Sequence, residues 1–336
     1  MTFKTFLIGL AGATALMTTS ASAQDTWRYA FEEAIDEVQG VFATQFKEYI
    51  EENSDYTVEL FPFGTLGESD DIMEQTQSGI LQFVNQSPGF TGALIPEAQV
   101  FFVPYLLPQE GEQLNEFFRT SVAINEMFPE LYAEHGLELL TMYPEGEVVM
   151  TTKEPVRSPE DLNEQNFRVM TNPLLVESYR AFGAVPTPLP WGEVYGALQT
   201  NMIQGQENPM FFVESTRMYE VTDHITFTGH NNFTTALMAN QDFFNGLSED
   251  DQQLVRDAVD EAFEYILDYQ EGLTERALET IMENKPDMTV TRLDDDEREA
   301  FMETADSVEA EFIEMTGESG QEILDQMKAD LEAVSD

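Results

Sequence analysis

The chain has 336 residues, 64 Asp plus Glu against 15 Lys plus Arg, a formal charge of -49 and no cysteine. Nucleic acid and anionic membrane surfaces would repel it, and the lack of cysteine excludes disulfides, thiolate nucleophiles and Cys-ligated metal centres. With 42% apolar and 11% aromatic residues it can still build large cores, and its length suits two domains.

Lys4, an uncharged run from Phe6 to Met17, and Ala21-Ser22-Ala23 before Gln24 have the layout of a signal peptide, residues 1–23. The run of 12 residues is short of the roughly 20 that span a bilayer, so an exported, soluble, periplasmic chain is expected. Thr26 to Phe31 reads as a strand, and Val38, Phe42, Phe46 and Ile50, four apart, form one face of a helix. A strand at Thr57 to Phe61, a helix from Glu68 to Ser78 and a strand at Ile80 to Val84 complete a βαβαβ start. Leu137 to Tyr143 and Val148 to Thr152 read as strands that cross between domains. Ser158-Pro159-Glu160-Asp161 has the Ser cap and first-turn Pro of a helix, Phe167 to Met170 reads as a buried strand, and Glu193 to Met202 as a helix. From Ser248 an apolar-periodic stretch runs to Asn284 with a single Gly. As one helix of about 54 Å it would brace two domains. The alternation indicates an α/β fold.

The acids are spread along helical segments, as in Glu249-Asp250-Asp251, Asp257 and Asp260-Glu261, interleaved with Leu254, Val255 and Val259. This is a solvated face opposite a buried one. At about 1 M salt the Debye length is roughly 3 Å, so the self-repulsion is screened and the chain reads as adapted to high salt. Its melting temperature is expected to climb with NaCl into the molar range, which a salt titration by circular dichroism checks.

No phosphate-binding Gly-rich loop, GxSxG or HExxH occurs, so no nucleotide cofactor is expected. His224 and His230 lack a third metal ligand at useful spacing, and hydrogen-bonded histidines beside a strand are the simpler reading. Asp294-Asp295-Asp296 lacks the Gly and distal Glu of a calcium loop and reads as a helix cap. No metal site is expected. Arg168, within the apolar Phe167-Arg168-Val169-Met170, has the fork for a carboxylate, or pairs with a neighbouring acid. Asn208, in Gly205-Gln206-Glu207-Asn208-Pro209, either donates to the same carboxylate or forms a turn.

Phe61-Pro62-Phe63-Gly64-Thr65-Leu66-Gly67, Ser158 to Leu162 leading into Phe167-Arg168-Val169, and Glu193-Val194-Tyr195-Gly196-Ala197-Leu198-Gln199 running to Asn208-Pro209 resemble the extracytoplasmic receptors of TRAP transporters. Asn201, Gln204 and Phe243-Phe244 depart from the usual pattern. The resemblance implies a periplasmic-binding-protein-like fold of two α/β domains around a ligand cleft, a bracing helix, hinge closure, and delivery to an ion-driven membrane permease. The expected domains are residues 24–148 with about 237–275, and 149–236 with about 276–336. Arg168 aligns with the family's carboxylate-binding arginine and Asn208 with its partner. Binding without catalysis, by a monomer, is implied.

Glu33, in Glu32-Glu33 after the first strand, would repel a dicarboxylate but pair with a cation. Phe90, Trp191 and Phe233 follow strands, where cleft ligands bind; their faces suit a delocalised cation or pack the interdomain seam. Together these residues describe a site for a zwitterion, and the chain looks most like the family's ectoine and hydroxyectoine receptors. A receptor for C4-dicarboxylates or other organic anions stays open as an alternative. So does an enzyme using Glu32, Glu33 or Glu207 as acid and base.

Overall fold

The structure is a computed structural model describing residues 26–109 and 111–335; the expected signal peptide lies outside them. In chain order the first elements are β1 (Thr26–Ala30), α1 (Val38–Asn53), β2 (Thr57–Phe61), α2 (Ser69–Gln77), β3 (Phe83–Gln86), α3 (Pro88–Thr91), α4 (Glu112–Thr120), α5 (Phe128–Ala133) and β4 (Leu137–Thr152). There follow β5 (Asn166–Val169), α6 (Pro173–Ala181), β6 (Val185–Pro188), α7 (Val194–Gln199), β7 (Gly205–Pro209), α8 (Met210–Ser215), β8 (His224–Phe227) and β9 (Asn232–Asn240). The chain closes with α9 (Gln241–Gly246), α10 (Glu249–Gln270), α11 (Leu273–Asn284), β10 (Thr289–Arg292), α12 (Asp295–Met302) and α13 (Ala305–Ala333).

The strands form one mixed sheet in the order β2-β1-β3-β9-β4-β7-β5-β6, with β8 also on β4 and β10 on β8. At one end β2-β1-β3 is parallel, and at the other β7-β5-β6 is parallel. Between them β4 is shared: residues 137–147 pair antiparallel with β9, and 148–152 pair antiparallel with β7. The two crossing strands read from the sequence are therefore one continuous 16-residue strand. The β4/β9 register slips between Pro144 and Gly146, leaving Glu145 without a partner across the ladder. This is a β-bulge, the device that re-aims one side chain of a strand.

Val38, Phe42, Phe46 and Ile50 are all buried, as their spacing requires. Phe46 meets Tyr29 and Phe83 at 5.5 and 5.0 Å between ring centroids, and Phe42 stacks on Tyr143 at 4.5 Å. At the other end Phe167 stacks on Tyr179 at 4.4 Å.

The single helix expected from Ser248 to Asn284 is two helices. Gly272 takes a φ of +68° between α10 and α11, a left-handed conformation that interrupts the ladder and suits glycine. The 22 residues of α10 span about 33 Å; α10 packs on α1, whereas α11 packs on α8. The strand expected at Ile80 to Val84 begins later, because the N–H groups of Ile80 and Leu81 both close the end of α2 on the Gln75 carbonyl. The helix expected from Ser158 is a single 3-10 turn, Pro159–Leu162, with its capping box to Asp161 in place; Glu164, at a φ of +65°, ends it. The helix from Glu193 runs only from Val194 to Gln199, before Asn201 turns left-handed. Asp294 caps α12, as read.

Candidate functional site: an interlobe cavity

A cleft of about 430 Å³, part of it open to solvent, lies where the two ends of the sheet face each other. Glu33, Phe90, Arg168, Trp191, Asn208 and Phe233 all line it. The structure thus brings together every binding residue singled out in the sequence. It adds Gln39, Glu145 and Phe212, among others, and Glu32, the neighbour of Glu33 already noted in the sequence, lines it too.

One wall grows from the end of β1. Phe31 N–H still pairs with Phe61 O at 3.1 Å, and Glu33 O accepts from Phe63 N–H at 2.9 Å, so the Glu32-Glu33 backbone is an extension of the sheet. The first turn of α1 then meets these acids. Gln39 N–H donates to Glu33 Oε2 at 2.8 Å, and Gln39 Oε1 accepts from Glu32 N–H at 2.9 Å. Gln39 Nε2 donates to Glu145 Oε1 at 3.0 Å, and Ser87 N–H donates to Glu32 Oε2 at 2.8 Å. Burial removes the water that would stabilise these carboxylates. It pushes Glu32 and Glu145 up to about 7 from an ordinary 4.5, and Glu33 well above that value, with the negative charges of Glu145 and Glu37 adding to the rise.

The opposite wall is built on β5 and β7. Arg168 is 2% exposed. Its Nε and Nη2 donate to the Leu189 carbonyl at 3.1 and 2.9 Å, which spends two of five N–H donors. Burial pushes the guanidinium down to about 10, against the distant pull of Glu207 and Glu68. The alternative of an Arg168 pair with a neighbouring acid is not what forms. Glu207, next along the strand from Asn208, instead accepts from Tyr179 Oη–H at 2.6 Å and lies 3.2 Å from His230 Nε2. It does not line the cavity, which separates it from Glu32 and Glu33 as a catalytic partner. Asn208 Nδ2 donates to Gln206 Oε1 at 2.5 Å. Trp191 packs against Phe212 at 4.7 Å and lies 5.5 Å from the Arg168 guanidinium carbon.

The two walls are latched: Ser215 Oγ–H donates to Glu37, Asn172 Nδ2 to the Pro88 carbonyl at 3.2 Å, and Leu174 N–H to Gln99 Oε1 at 2.9 Å. His230 contacts Thr228 as well as Tyr179 and Glu207, the hydrogen-bonded role read for it. Among the described residues no group of three or more His, Asp or Glu side chains is placed to hold a metal ion. No described helix is long and apolar enough to cross a membrane.

Sequence reasoning missed Glu145, Gln39 and Phe212. Glu145 had a signal in Pro144-Glu145-Gly146, a Pro and a Gly inside a strand, which mark a bulge. Gln39 and Phe212 had none.

A cavity of opposed charges between two α/β ends of one sheet defines a receptor for a small solute. Residues 30–315 match the model of the bacterial extracellular solute-binding proteins, family 7, and the chain belongs to that family. It is 65% identical over 333 residues to the ectoine/5-hydroxyectoine-binding periplasmic protein UehA of Ruegeria pomeroyi, covering 98% of each chain. To the ectoine-binding periplasmic protein TeaA of Halomonas elongata it is 61% identical over 332 residues, 99% of this chain and 97% of that one. The high-resolution structure of that receptor superposes with a TM-score of 0.91 at 64% identity, over 92% of this chain and all of the other. Its apo state gives 0.82 over the same shares, so the conformation described differs more from that apo state.

Proposed function

We propose that this chain is the periplasmic receptor of a TRAP transporter, that it takes up ectoine and hydroxyectoine, and that it is not an enzyme. The observation that carries this reading is the opposed charge of one cavity: a buried guanidinium on one wall, buried carboxylates on the other, and aromatic faces between. A carboxylate seated on Arg168 and Asn208 and a ring amidinium held by Glu33, Phe90, Trp191 and Phe233 would complete both walls at once, because each buried charge gains a partner. Aromatic faces are worth about 0.5 to 2 kcal/mol to a desolvated cation. A dicarboxylate would satisfy Arg168 but meet the acids. The two relatives named for ectoine, at 65% and 61% identity over nearly the whole chain, support the same ligand.

Residues 24–148 with about 237–275, and 149–236 with about 276–336, are the proposed moving bodies, with β4 and β9 as the strands that flex. The packing of α10 on α1 and of α11 on α8 supports a division near Gly272. The α13 helix touches both sides, meeting residues 96–102 as well as α6. Delivery would be to membrane permease subunits.

The test is calorimetric titration of residues 24–336 with ectoine, hydroxyectoine, glycine betaine and succinate, at low and molar NaCl. One-to-one binding of ectoine that persists in molar salt is expected, since salt screens buried charges such as Glu33 and Arg168 much less than exposed ones. Binding of succinate alone would overturn the zwitterion reading and keep the receptor fold.

A further inference from the structure

Glu145 has no role in the ligand scheme above, yet it is the residue that the β4 bulge turns out of the ladder, directly beside the Gly146–Phe233 pair. It is 2% exposed and lines the cavity with Glu33, which is 4% exposed. Gln39 bonds both carboxyl groups, and the negative charge of Glu145 adds to burial in pushing Glu33 well above the ordinary carboxylate range. Two bare carboxylates buried side by side without a cation repel, so such a pair relieves its burial by holding a proton. Gln39 fixes the pair from both sides, donating its backbone N–H to Glu33 and its side-chain amide to Glu145. Glu145 Oε2 is buried and has no hydrogen-bond partner. It is a buried carboxylate oxygen in need of positive charge.

The surroundings supply little of that charge. Glu32 and Glu37 approach from the β1–α1 segment, Tyr143 from β4 and Tyr269 from α10, all acids or neutral groups. Among the described residues the one cation that lines the cavity, Arg168, belongs to the other wall and is bonded to the Leu189 carbonyl.

We infer that the cationic group of the ligand is received by the Glu33–Glu145 pair acting as one unit, and that binding expels the proton the pair shares. The ligand keeps its own protons. The expelled proton passes to the buffer, and two carboxylates then face one cation. The pair is thus both a specificity element, which an anionic ligand cannot discharge, and a coupling of uptake to pH. Affinity rises as pH increases through the range where the pair would otherwise hold its proton.

This inference rests on the zwitterion reading, and one calorimetric design separates the two. The mature protein is titrated with ectoine at about pH 6 in phosphate and in imidazole, whose ionisation enthalpies differ, so the difference in apparent enthalpy counts the protons released. Release approaching one proton is expected, falling towards zero as pH is raised. In Glu145→Gln, checked for folding by its melting curve, the release should fall and affinity should drop at least tenfold. Ectoine binding with the same enthalpy in both buffers overturns the proton coupling while leaving the receptor reading intact. Unchanged affinity and release in Glu145→Gln remove Glu145 from the unit. No binding of ectoine to the unaltered protein overturns both readings.

Discussion

The two walls of the cavity bury charge in opposite ways. The wall from β1, α1 and the β4 bulge gathers Glu32, Glu33 and Glu145 around Gln39 with no cation among them. The wall from β5 and β7 buries Arg168 against a carbonyl, with its acids at a distance. Acids can relieve burial by taking up protons, and burial pushes all three of these upward; an arginine keeps its charge and accepts the cost. The acidic wall therefore adjusts to the absence of a ligand, and the arginine wall is left uncompensated until one arrives.

That contrast is broken most severely at Arg168. Arg168→Met should weaken ectoine binding by about 2 to 5 kcal/mol, the usual cost of truncating one partner of a buried charge pair. The ligand-free melting temperature should hold or rise, since an uncompensated buried charge is removed. Calorimetry beside a melting curve reads both, and a variant that loses stability without losing affinity would make Arg168 a structural residue.

The next effect lies on the acidic wall, in pH dependence. Glu32 and Glu145 hold their protons up to about 7 in the fold against an ordinary 4.5, so the folded protein binds more protons than the unfolded chain in between. The stability they contribute is complete below about pH 4.5 and is lost as pH rises through about 7. Urea unfolding without ligand should therefore show stability falling from pH 5 to 8, with a shallower fall in Glu32→Gln. Equal slopes in the two proteins would mean that Glu32 is solvated after all.

The smallest effect concerns the aromatic boundary between the walls. Trp191→Leu should cost about 0.5 to 2 kcal/mol of ectoine affinity through the lost cation–π face, measured by the same titration. A loss as large as that of Arg168→Met would mean that Trp191 also orients the guanidinium 5.5 Å away.

How far the site could be read in advance depended on how local its signals were. Arg168 stood out because a charged residue inside an apolar strand is anomalous, and Glu33, Phe90, Trp191 and Phe233 because each follows or adjoins a strand end. Gln39 looked like an ordinary helix residue, since the acids it ties together come from positions as distant as Glu145. Phe212 looked like core. In the fold, the four-residue spacing of Val38 to Ile50 located α1, but the single glycine at 272 was read as tolerated within a helix, when its left-handed backbone splits α10 from α11.

By itself the sequence determined the α/β alternation, the buried helix faces, the acidic surface and the unusual arginine, because these follow from periodicity and from the cost of placing a charge among apolar neighbours. Only the tertiary structure decided that β4 is one strand shared by both ends of the sheet, that its bulge turns Glu145 towards Glu33, and that three acids and a distant arginine close on one cavity. Those facts depend on register and on contacts between residues far apart in the chain, which no local pattern encodes.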